Sequence, residues 1–313
     1  MKNSLKLLFF LVCTWNVDIL NGDVSDHFKK AFHKSAVYSM RNIDYIYMIN
    51  LDQRPEKFKM SLDQLTPYGI YPYRFSAVNG WELSIEEIND VGVKFSPEME
   101  GGFMATSYHS DGHFQPSHEY VLNYGQTYFC HCMARGTIGI ALSHISVLQD
   151  AFDSGFETIW VMEDDIDVKR DPNILSDLID RLDQLVGKEN WDILFTDRDI
   201  RDAHGEYVPC HGAAKRPDCP INLFCNDYYA RRAINDEFWQ IGSRFGAHSM
   251  IVRRSGMKKL LQFYKAHQIF LPYDMDFIIP PGIKLFAIWE DVVSNLPRAL
   301  SDNGGANYLK SSN

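Results

Sequence analysis

Apolar and polar positions alternate along the chain in a way that predicts short strands separated by amphipathic helices. The predicted strands are β-favouring apolar runs at 45–51, 71–80, 158–162, 191–196 and 247–252. The predicted helices carry apolar residues at helical spacing and begin at Pro55, at Thr137 as an N-cap, near Leu175 and at Ser255. This alternation predicts an α/β fold, with a mostly parallel sheet covered by helices on both faces.

The strand predicted at 158–162 leads directly into four acids, Glu163, Asp164, Asp165 and Asp167. Side chains alternate in extended backbone, so Glu163 and Asp165 are expected on one side and Asp164 on the other. Two carboxylates side by side repel each other, and a divalent cation such as Mn²⁺ or Mg²⁺ would relieve that repulsion and leave positions for a diphosphate. Ligands of such sheets bind at the carboxyl ends of strands, where these acids lie. The alternative is a solvated acidic turn.

The charge balance argues against nucleic acid as a partner. The chain has 31 basic and 41 acidic residues, a net charge of −10, which provides no general attraction for a phosphate backbone. Its 313 residues are 45% hydrophobic, enough for one large domain or two smaller ones. No glycine-rich, lysine-bearing phosphate loop follows the first predicted strand, which disfavours a nucleotidyltransferase of that type.

Residues 1–22 have the pattern of a secretory leader. Lys2 and Lys6 precede a short apolar block that runs from Leu7 to Trp15. Because a membrane-spanning helix needs roughly 20 apolar residues, a cleaved signal is expected first. The alternatives are a membrane-proximal anchor or lipid attachment, and no export at all.

The cysteines suggest an oxidising compartment. Without the leader five remain, and Cys210, Cys219 and Cys225 lie within sixteen positions of each other, so one disulfide is expected there. A zinc site that includes His211 is the alternative, although the chain has no CxxC pair.

These segments resemble glycosyltransferase family 25, which contains bacterial lipopolysaccharide and lipooligosaccharide transferases and collagen galactosyltransferase domains. The matching segments follow the family order: INLDQR (49–54), RFSAVNG (74–80), GTIGIALSHISVLQDAF (136–152), WVMEDDIDV (160–168), GAHSMIVRRSGMKKLL (246–261), LPYDMDF (271–277), and VSN and SDN near 293 and 301. The resemblance implies a catalytic domain over 43–303 with a GT-A type nucleotide-diphospho-sugar transferase fold. Within it, 90–135 lack a sustained period and are expected to be an insertion or lid, 200–235 form a cysteine-bearing loop, and 304–313 are a tail.

The resemblance also implies roles for individual residues. A metal ion, Mn²⁺ or Mg²⁺, is expected at Glu163, Asp165 and Asp274, and the catalytic base at Asp274 or Asp276. The residues expected beside a UDP-hexose donor are Asn50, Leu51, Arg54, Asn79, Ser143, His144 and Asp164. Without the family, His144 would be interpreted as a core or capping histidine and Arg54 as a surface ion pair.

The activity implied is metal-dependent, inverting transfer of galactose or glucose from a UDP-sugar to a hydroxyl group of a lipopolysaccharide-type glycan or of hydroxylysine. Two alternatives come from other classes: a metal-dependent nucleotidyltransferase, and a non-enzymatic exported protein that binds calcium or carbohydrate. The leader implies the lumen of the endoplasmic reticulum for a eukaryotic source, and the cytoplasmic face of the inner membrane, with membrane proximity, for a bacterial one.

Overall fold

The computed structural model describes residues 23–110, 115–210, 212, 214–219 and 228–309. Its strands are β1 (Tyr45–Asn50), β2 (Tyr73–Ser76), β3 (Val93–Lys94), β4 (Met104–Ser107), β5 (Ser117–Tyr120), β6 (Thr127–Cys130), β7 (Thr158–Glu163), β8 (Ile166–Val168), β9 (Ile193–Phe195), β10 (Arg231–Ala233), β11 (Phe238–Ile241), β12 (Ser249–Arg253), β13 (Leu285–Ile288) and β14 (Val293–Asn295). Its α-helices are α1 (Pro55–Leu65), α2 (Ile85–Val91), α3 (Arg135–Asp153), α4 (Ile174–Val186), α5 (Arg254–His267) and α6 (Tyr273–Asp276).

The main sheet is mixed. Within the described residues it has eight strands in the order β10-β11-β13-β9-β12-β7-β1-β2. The neighbours β1 and β2, β1 and β7, and β9 and β13 are parallel, whereas β12 and β11 run against the strands beside them. Short β8 and β14 form a separate antiparallel pair.

Both faces of the main sheet are covered, which confirms the α/β class. In β7, Ile159 and Val161 belong to the core that includes α3 and α5, whereas Trp160 and Met162 belong to the core beneath α4. This alternation follows from the two-residue period of a strand, and because both sides are buried the strand is apolar throughout.

Strands β1, β2 and β7 end at the same edge of the main sheet because they run parallel. The register pairs Ile49 with Glu163 and Asn50 with Ser76. The acids that follow β7 therefore lie beside the segments that leave β1 and β2.

Residues 90–135, predicted to be an insertion or lid, include a second sheet. In the described part of this region the strands pair antiparallel in the order β3-β6-β4-β5. Val93, Ala105 and Phe129 are buried in the same core as α3. The strands are too short to give a sustained sequence period, and their pairing becomes visible only in three dimensions.

Helix α3 begins at Arg135 with Ala134 as its N-cap, so the predicted N-cap at Thr137 is wrong. The Arg135 guanidinium donates to the carbonyl oxygen of Gly80 at 3.2 Å and to that of Leu83. A Cβ on Gly80 would lie 1.8 Å from the Arg135 carbonyl oxygen, so only glycine permits this approach. The loop after β2 is thereby fixed against the start of α3.

The leader 1–22 lies outside the described residues, as do Cys225 and His211, so the zinc alternative stays a prediction. Cys210 and Cys219 are free thiols, and a disulfide among Cys210, Cys219 and Cys225 would use at least one of them, so the predicted disulfide is not formed in this structure. Across the described ranges, no helix is both long enough and apolar enough to cross a membrane.

Candidate active site

A pocket opens at the edge of the main sheet where β1, β2 and β7 end. The residues that line it come from the ends of these strands, from α1 and α3 and from a C-terminal segment: Ile49, Leu51, Lys57, Ala77, Val78, Asn79, Gly80, Trp81, Gly136, Ile140, Ser143, Glu163, Asp164, Asp165, Ser301, Asp302 and Asn303. The pocket therefore brings together Leu51, Asn79, Ser143 and the three acids expected at a donor site.

Each acid has a different environment. Glu163 ends β7, and its Oε1 lies 2.9 Å from Nε2 of His144. Asp164 accepts a hydrogen bond from Nδ2 of Asn50 at 2.6 Å. Asp165 lies between this pocket and a neighbouring cleft on α1. Since β7 ends at Glu163, the expected alternation of side chains stops there, and Asp164 lines the same pocket as its neighbours.

The pKa values differ accordingly. Burial, followed by the charge of Asp165, raises the pKa of Asp164 to about 7. Burial and the charge of Glu163 also raise the pKa of Asp165. Burial acts in the same direction on Glu163, but the hydrogen bond and charge of His144 outweigh it and hold the pKa of Glu163 below its ordinary value. The surroundings therefore favour the charged form of Glu163 and disfavour ionisation of Asp164 and Asp165 beside it.

His144 is a buried positioning residue. It lies in α3, and its ring stacks on Tyr273 with the centroids 4.4 Å apart and the planes 9° from parallel. Its Nδ1 is buried and has no hydrogen-bond partner in the described parts of the chain. The contact with Glu163 and the stack fix the ring, so His144 is placed to orient Glu163 and does not line the pocket.

The predicted Ser143 and Asn79 shape the pocket wall. The Ser143 hydroxyl donates to the Gly139 carbonyl at 2.7 Å and accepts from the Val78 amide at 2.8 Å. Nδ2 of Asn79 donates to the Tyr308 hydroxyl at 2.9 Å. Ser143 therefore ties α3 to the segment after β2, and Asn79 ties that segment to the start of the predicted tail.

Arg54 lies just outside the pocket and is bound to a carboxylate. Its Nη1 donates to both oxygens of Asp302, at 3.0 and 2.7 Å, and its Nε contacts Glu56. Lys57 Nζ lies 3.8 Å from Asp302 and 3.9 Å from Asp164. Because only 12% of the Arg54 side chain is exposed, this is a largely buried ion pair and not a surface one.

The two late acids have different surroundings. Oδ2 of Asp274 accepts from the Gly246 amide at 2.7 Å, and its pKa is raised by burial, with a further contribution from the charge of Glu163. Asp276 is fully buried and pairs with Arg216 at 2.6 Å. The charge of Glu163 therefore acts on Asp274, whereas Asp276 is held by a structural ion pair. Neither residue lines the pocket.

The pocket residues that sequence reasoning missed include Lys57, Trp81 and Asp302. Asp302 lies in the SDN segment, whose resemblance to the family assigns no role to the acid, and its carbonyl oxygen accepts from Nε1 of Trp81 at 2.8 Å. A lysine in an amphipathic helix is typical of a solvated position, so no local signal marked Lys57.

Comparison with known proteins identifies the family. A family model described as glycosyltransferase family 25 (LPS biosynthesis protein) matches residues 43–279. The chain belongs to glycosyltransferase family 25. Its relatives include a "Glycosyltransferase 25 family member" of Aedes aegypti, 28% identical over 156 residues, which are 50% of this chain and 21% of the relative. The protein of the same name from Drosophila melanogaster is 27% identical over 176 residues, 56% of this chain and 24% of the relative.

Family 25 also contains relatives whose names state that they are inactive. The "Inactive glycosyltransferase 25 family member 3" of Homo sapiens is 24% identical over 160 residues, 50% of this chain and 22% of the relative. The matches to the insect and human proteins thus span about a quarter of their length or less. Membership in family 25 therefore does not by itself assign an activity to this chain.

The carboxylates of the pocket suit a hard divalent cation that also binds a substrate. Within the ranges that the structure describes, no group of three or more His, Cys, Asp or Glu side chains is arranged to hold a metal ion, so Glu163, Asp165 and Asp274 are not gathered as a three-ligand site. Mg²⁺ is commonly held by one or two carboxylates, with phosphate oxygens and water completing its shell. Glu163 and Asp165 supply two carboxylates, and the pKa of Asp165 is raised by burial and then by the charge of Glu163, a repulsion that a cation would relieve. The residues therefore fit such an ion.

Proposed function

We propose that this family 25 chain is a metal-dependent, inverting hexosyltransferase with a GT-A type fold. It moves galactose or glucose from a UDP-hexose to a hydroxyl group of a glycan or of hydroxylysine. Membership in the family supports glycosyl transfer, whereas the metal, the donor, the stereochemistry and the acceptor belong to the proposal.

One observation supports the proposal most strongly. The three carboxyls at the end of β7 lie in one pocket with residues that follow β1 and β2. The apolar strand β7 delivers Glu163, Asp164 and Asp165 to the edge where Asn79 and Ser143 also lie. In α/β sheets this edge is where ligands bind. A solvated acidic turn would instead leave the carboxyls in water, with pKa values near their ordinary ones, and Asp164 departs from that expectation.

Glu163 and Asp165 are the residues that would hold Mn²⁺ or Mg²⁺ together with the donor's diphosphate. When bound there, the ion supplies positive charge opposite the phosphate that becomes more negative as UDP leaves. His144 contributes by keeping Glu163 ionised and oriented, since its hydrogen bond lowers the pKa of that carboxyl.

Asp274 is the proposed base for the acceptor hydroxyl. Its raised pKa makes it a better proton acceptor near neutral pH than an ordinary carboxylate, which suits general base catalysis. The amide of Gly246 donates to Oδ2 of Asp274 and holds the carboxylate in place. Asp276 is less suited because its carboxylate is engaged by Arg216.

The test is turnover of UDP-galactose and UDP-glucose with Mn²⁺ by purified protein, with glycan and hydroxylysine-peptide acceptors and with product identified by mass spectrometry. Asp165→Asn should abolish turnover while the folded state is kept. Asp167→Asn is the matched control because Asp167 pairs with Lys169 and does not line the pocket. For Asp274→Asn, loss of turnover with UDP binding retained is expected.

Other results would indicate different residue roles or a different function. Full turnover by Asp165→Asn would refute the metal assignment, and loss of UDP binding in Asp274→Asn would make Asp274 a ligand and not the base. Consumption of a nucleoside triphosphate without sugar transfer would indicate a nucleotidyltransferase. Calcium or carbohydrate binding without any release of UDP would indicate a binding protein.

The cellular location is part of the proposal. A luminal protein of the endoplasmic reticulum would meet hydroxylysine acceptors, and one at the cytoplasmic face of a bacterial inner membrane would meet lipid-linked glycans. Fusion of residues 1–22 to a reporter, followed by mapping of the cleavage site, distinguishes a removed leader from a retained anchor.

A further inference from the structure

The turn after β6 brings two thiols together. Cys130 is the last residue of β6, and Cys132 follows it in the segment that leads to α3. In extended backbone, side chains two residues apart point the same way but stand ~6.8 Å apart, which is twice the rise per residue. Here the Met133 amide donates to the Cys130 carbonyl at 2.9 Å, so the chain turns back, and the two sulfur atoms lie 3.3 Å apart.

The two thiols differ in their access to solvent. Both are free; Cys130 is buried, with 3% of its surface exposed, whereas Cys132 is exposed. A reagent in solution therefore meets the sulfur of Cys132, and Cys130 is reached from within the protein by the sulfur beside it. An accessible thiol next to a second, resolving thiol is the arrangement typical of redox-responsive cysteines.

The surroundings of the pair favour a thiolate, the form of cysteine that reacts with disulfides. The hydrogen bond from Cys132 lowers the pKa of the Cys130 thiol, and the charge of His131 acts in the same direction. Nδ1 of His131 lies 3.7 Å from the Cys130 sulfur. Since the two sulfur atoms are in hydrogen-bond contact, the remaining proton can pass between them, and either one can carry the negative charge.

A bond between these two sulfur atoms would be a weak crosslink. The length of a disulfide is about 2.05 Å, so the sulfur atoms have to approach by ~1.2 Å, which rotation of the side chains can supply. The loop that the bond closes has only three residues, so it removes little entropy from the unfolded chain. Strained or exposed disulfides are also the ones that are readily reduced. These properties favour a bond that forms and breaks over one that stabilises the fold.

From these observations we infer that Cys130 and Cys132 form a reversible disulfide by exchange with a low-molecular-weight disulfide such as glutathione disulfide. The Cys132 thiolate attacks one sulfur of the reagent, which forms a mixed disulfide and releases one glutathione thiolate. The Cys130 thiolate then attacks the Cys132 sulfur, so the internal bond forms and the second glutathione thiolate leaves. The two cysteines are oxidised, the reagent is reduced to two thiols, and the two cysteine protons pass to the released thiolates.

The pair lies between two elements of the candidate active site. Helix α3, which carries Ser143 and His144, begins at Arg135 just after the turn. The Cys130 amide donates to the Phe270 carbonyl at 2.8 Å, in the segment that leads into α6. Disulfide exchange itself requires only the two thiols and is independent of the proposed function.

The test is exposure of the folded full chain to glutathione disulfide, followed by alkylation of free thiols and peptide mapping by mass spectrometry. We expect a bond between Cys130 and Cys132 in the wild type that an excess of reduced glutathione reopens. In Cys130→Ser the mixed disulfide on Cys132 cannot be resolved, so its level should exceed that of the wild type by roughly tenfold or more. In Cys132→Ser the remaining thiol is buried and should take up roughly tenfold less glutathione than Cys132 does in Cys130→Ser.

Cys219→Ser is the control, because it removes a free thiol outside the pair and should form the bond like the wild type. The wild-type measurement stays informative if Cys130→Ser fails to fold. Three results would overturn the inference: no bond between Cys130 and Cys132 after exposure, a glutathione adduct that persists on Cys132 in the wild type, or a bond that reduced glutathione does not reopen, which would make it a structural crosslink.

Discussion

Asp164 provides a sharp test of the electrostatic account of the pocket. In the native state its carboxyl is 14% exposed and lies beside Asp165, and its pKa is raised to about 7 by burial and by that neighbour. An asparagine at 164 has nearly the same shape, keeps an oxygen that accepts from Asn50, and carries no charge. Asp164→Asn should therefore stabilise the metal-free protein at pH values above 3.8, the ordinary pKa of the carboxyl, and most strongly above about 7.

The size and sign follow from proton linkage. Between the ordinary pKa of 3.8 and the native value of about 7, the native state keeps a proton that the unfolded chain releases, so wild-type stability falls as pH rises through this window. At 1.36 kcal/mol per pKa unit the full difference is about 4 kcal/mol. The free energy of unfolding of Asp164→Asn should exceed that of the wild type by less than about 1 kcal/mol at pH 4 and by about 4 kcal/mol at pH 8.

The assay is urea denaturation of both proteins from pH 4 to pH 8 without divalent metal, with the slopes of the transitions compared to verify two-state behaviour. Asp63→Asn is the control: Asp63 is an exposed carboxylate on α1, and its loss should change the free energy of unfolding by less than about 0.5 kcal/mol. A difference between Asp164→Asn and the wild type that does not vary with pH, or a mutant less stable than the wild type at pH 8, would refute the reasoning.

Three further substitutions separate positioning from structure. His144→Phe keeps a ring against Tyr273 but removes the hydrogen bond that lowers the pKa of Glu163, so the acid limb of the pH profile of UDP-sugar turnover should move to higher pH. Tyr273→Phe, which removes a hydroxyl without a hydrogen-bond partner among the described residues, should leave that limb in place; equal shifts in both would count against the role of His144. Asp276→Asn breaks the buried pair with Arg216 and should lower the free energy of unfolding by about 3–5 kcal/mol in urea denaturation, with turnover of the folded fraction retained. Lost turnover at unchanged stability would instead make Asp276 catalytic.

Much of the secondary structure was predictable because it follows from local sequence patterns. The predicted strands at 45–51 and 158–162 correspond to β1 and β7, and the helix predicted from Pro55 is α1. An apolar run followed directly by acids predicts a strand that ends in carboxylates, whatever lies around it. The family motifs likewise pointed to the segments that line the pocket.

The two acids of LPYDMDF show where local reasoning ends. Asp274 and Asp276 are equivalent in sequence, yet α6 gives one a bond to the Gly246 amide and the other a buried pair with Arg216. No residue near either acid in the sequence indicates these contacts. Their distinct roles depend on which segments pack against each side of a one-turn helix.

By itself, the sequence determined the α/β class, the position of the acids at a strand end, and the family, because periodicity and motif order are properties of neighbouring residues. Only the tertiary structure decided which distant groups meet: Arg54 pairs with Asp302 across 248 positions, and the Gly246 amide donates to Asp274. The physical reason is that burial, ion pairing and the pKa shifts they cause depend on distances through space, and these are set by packing of the whole chain.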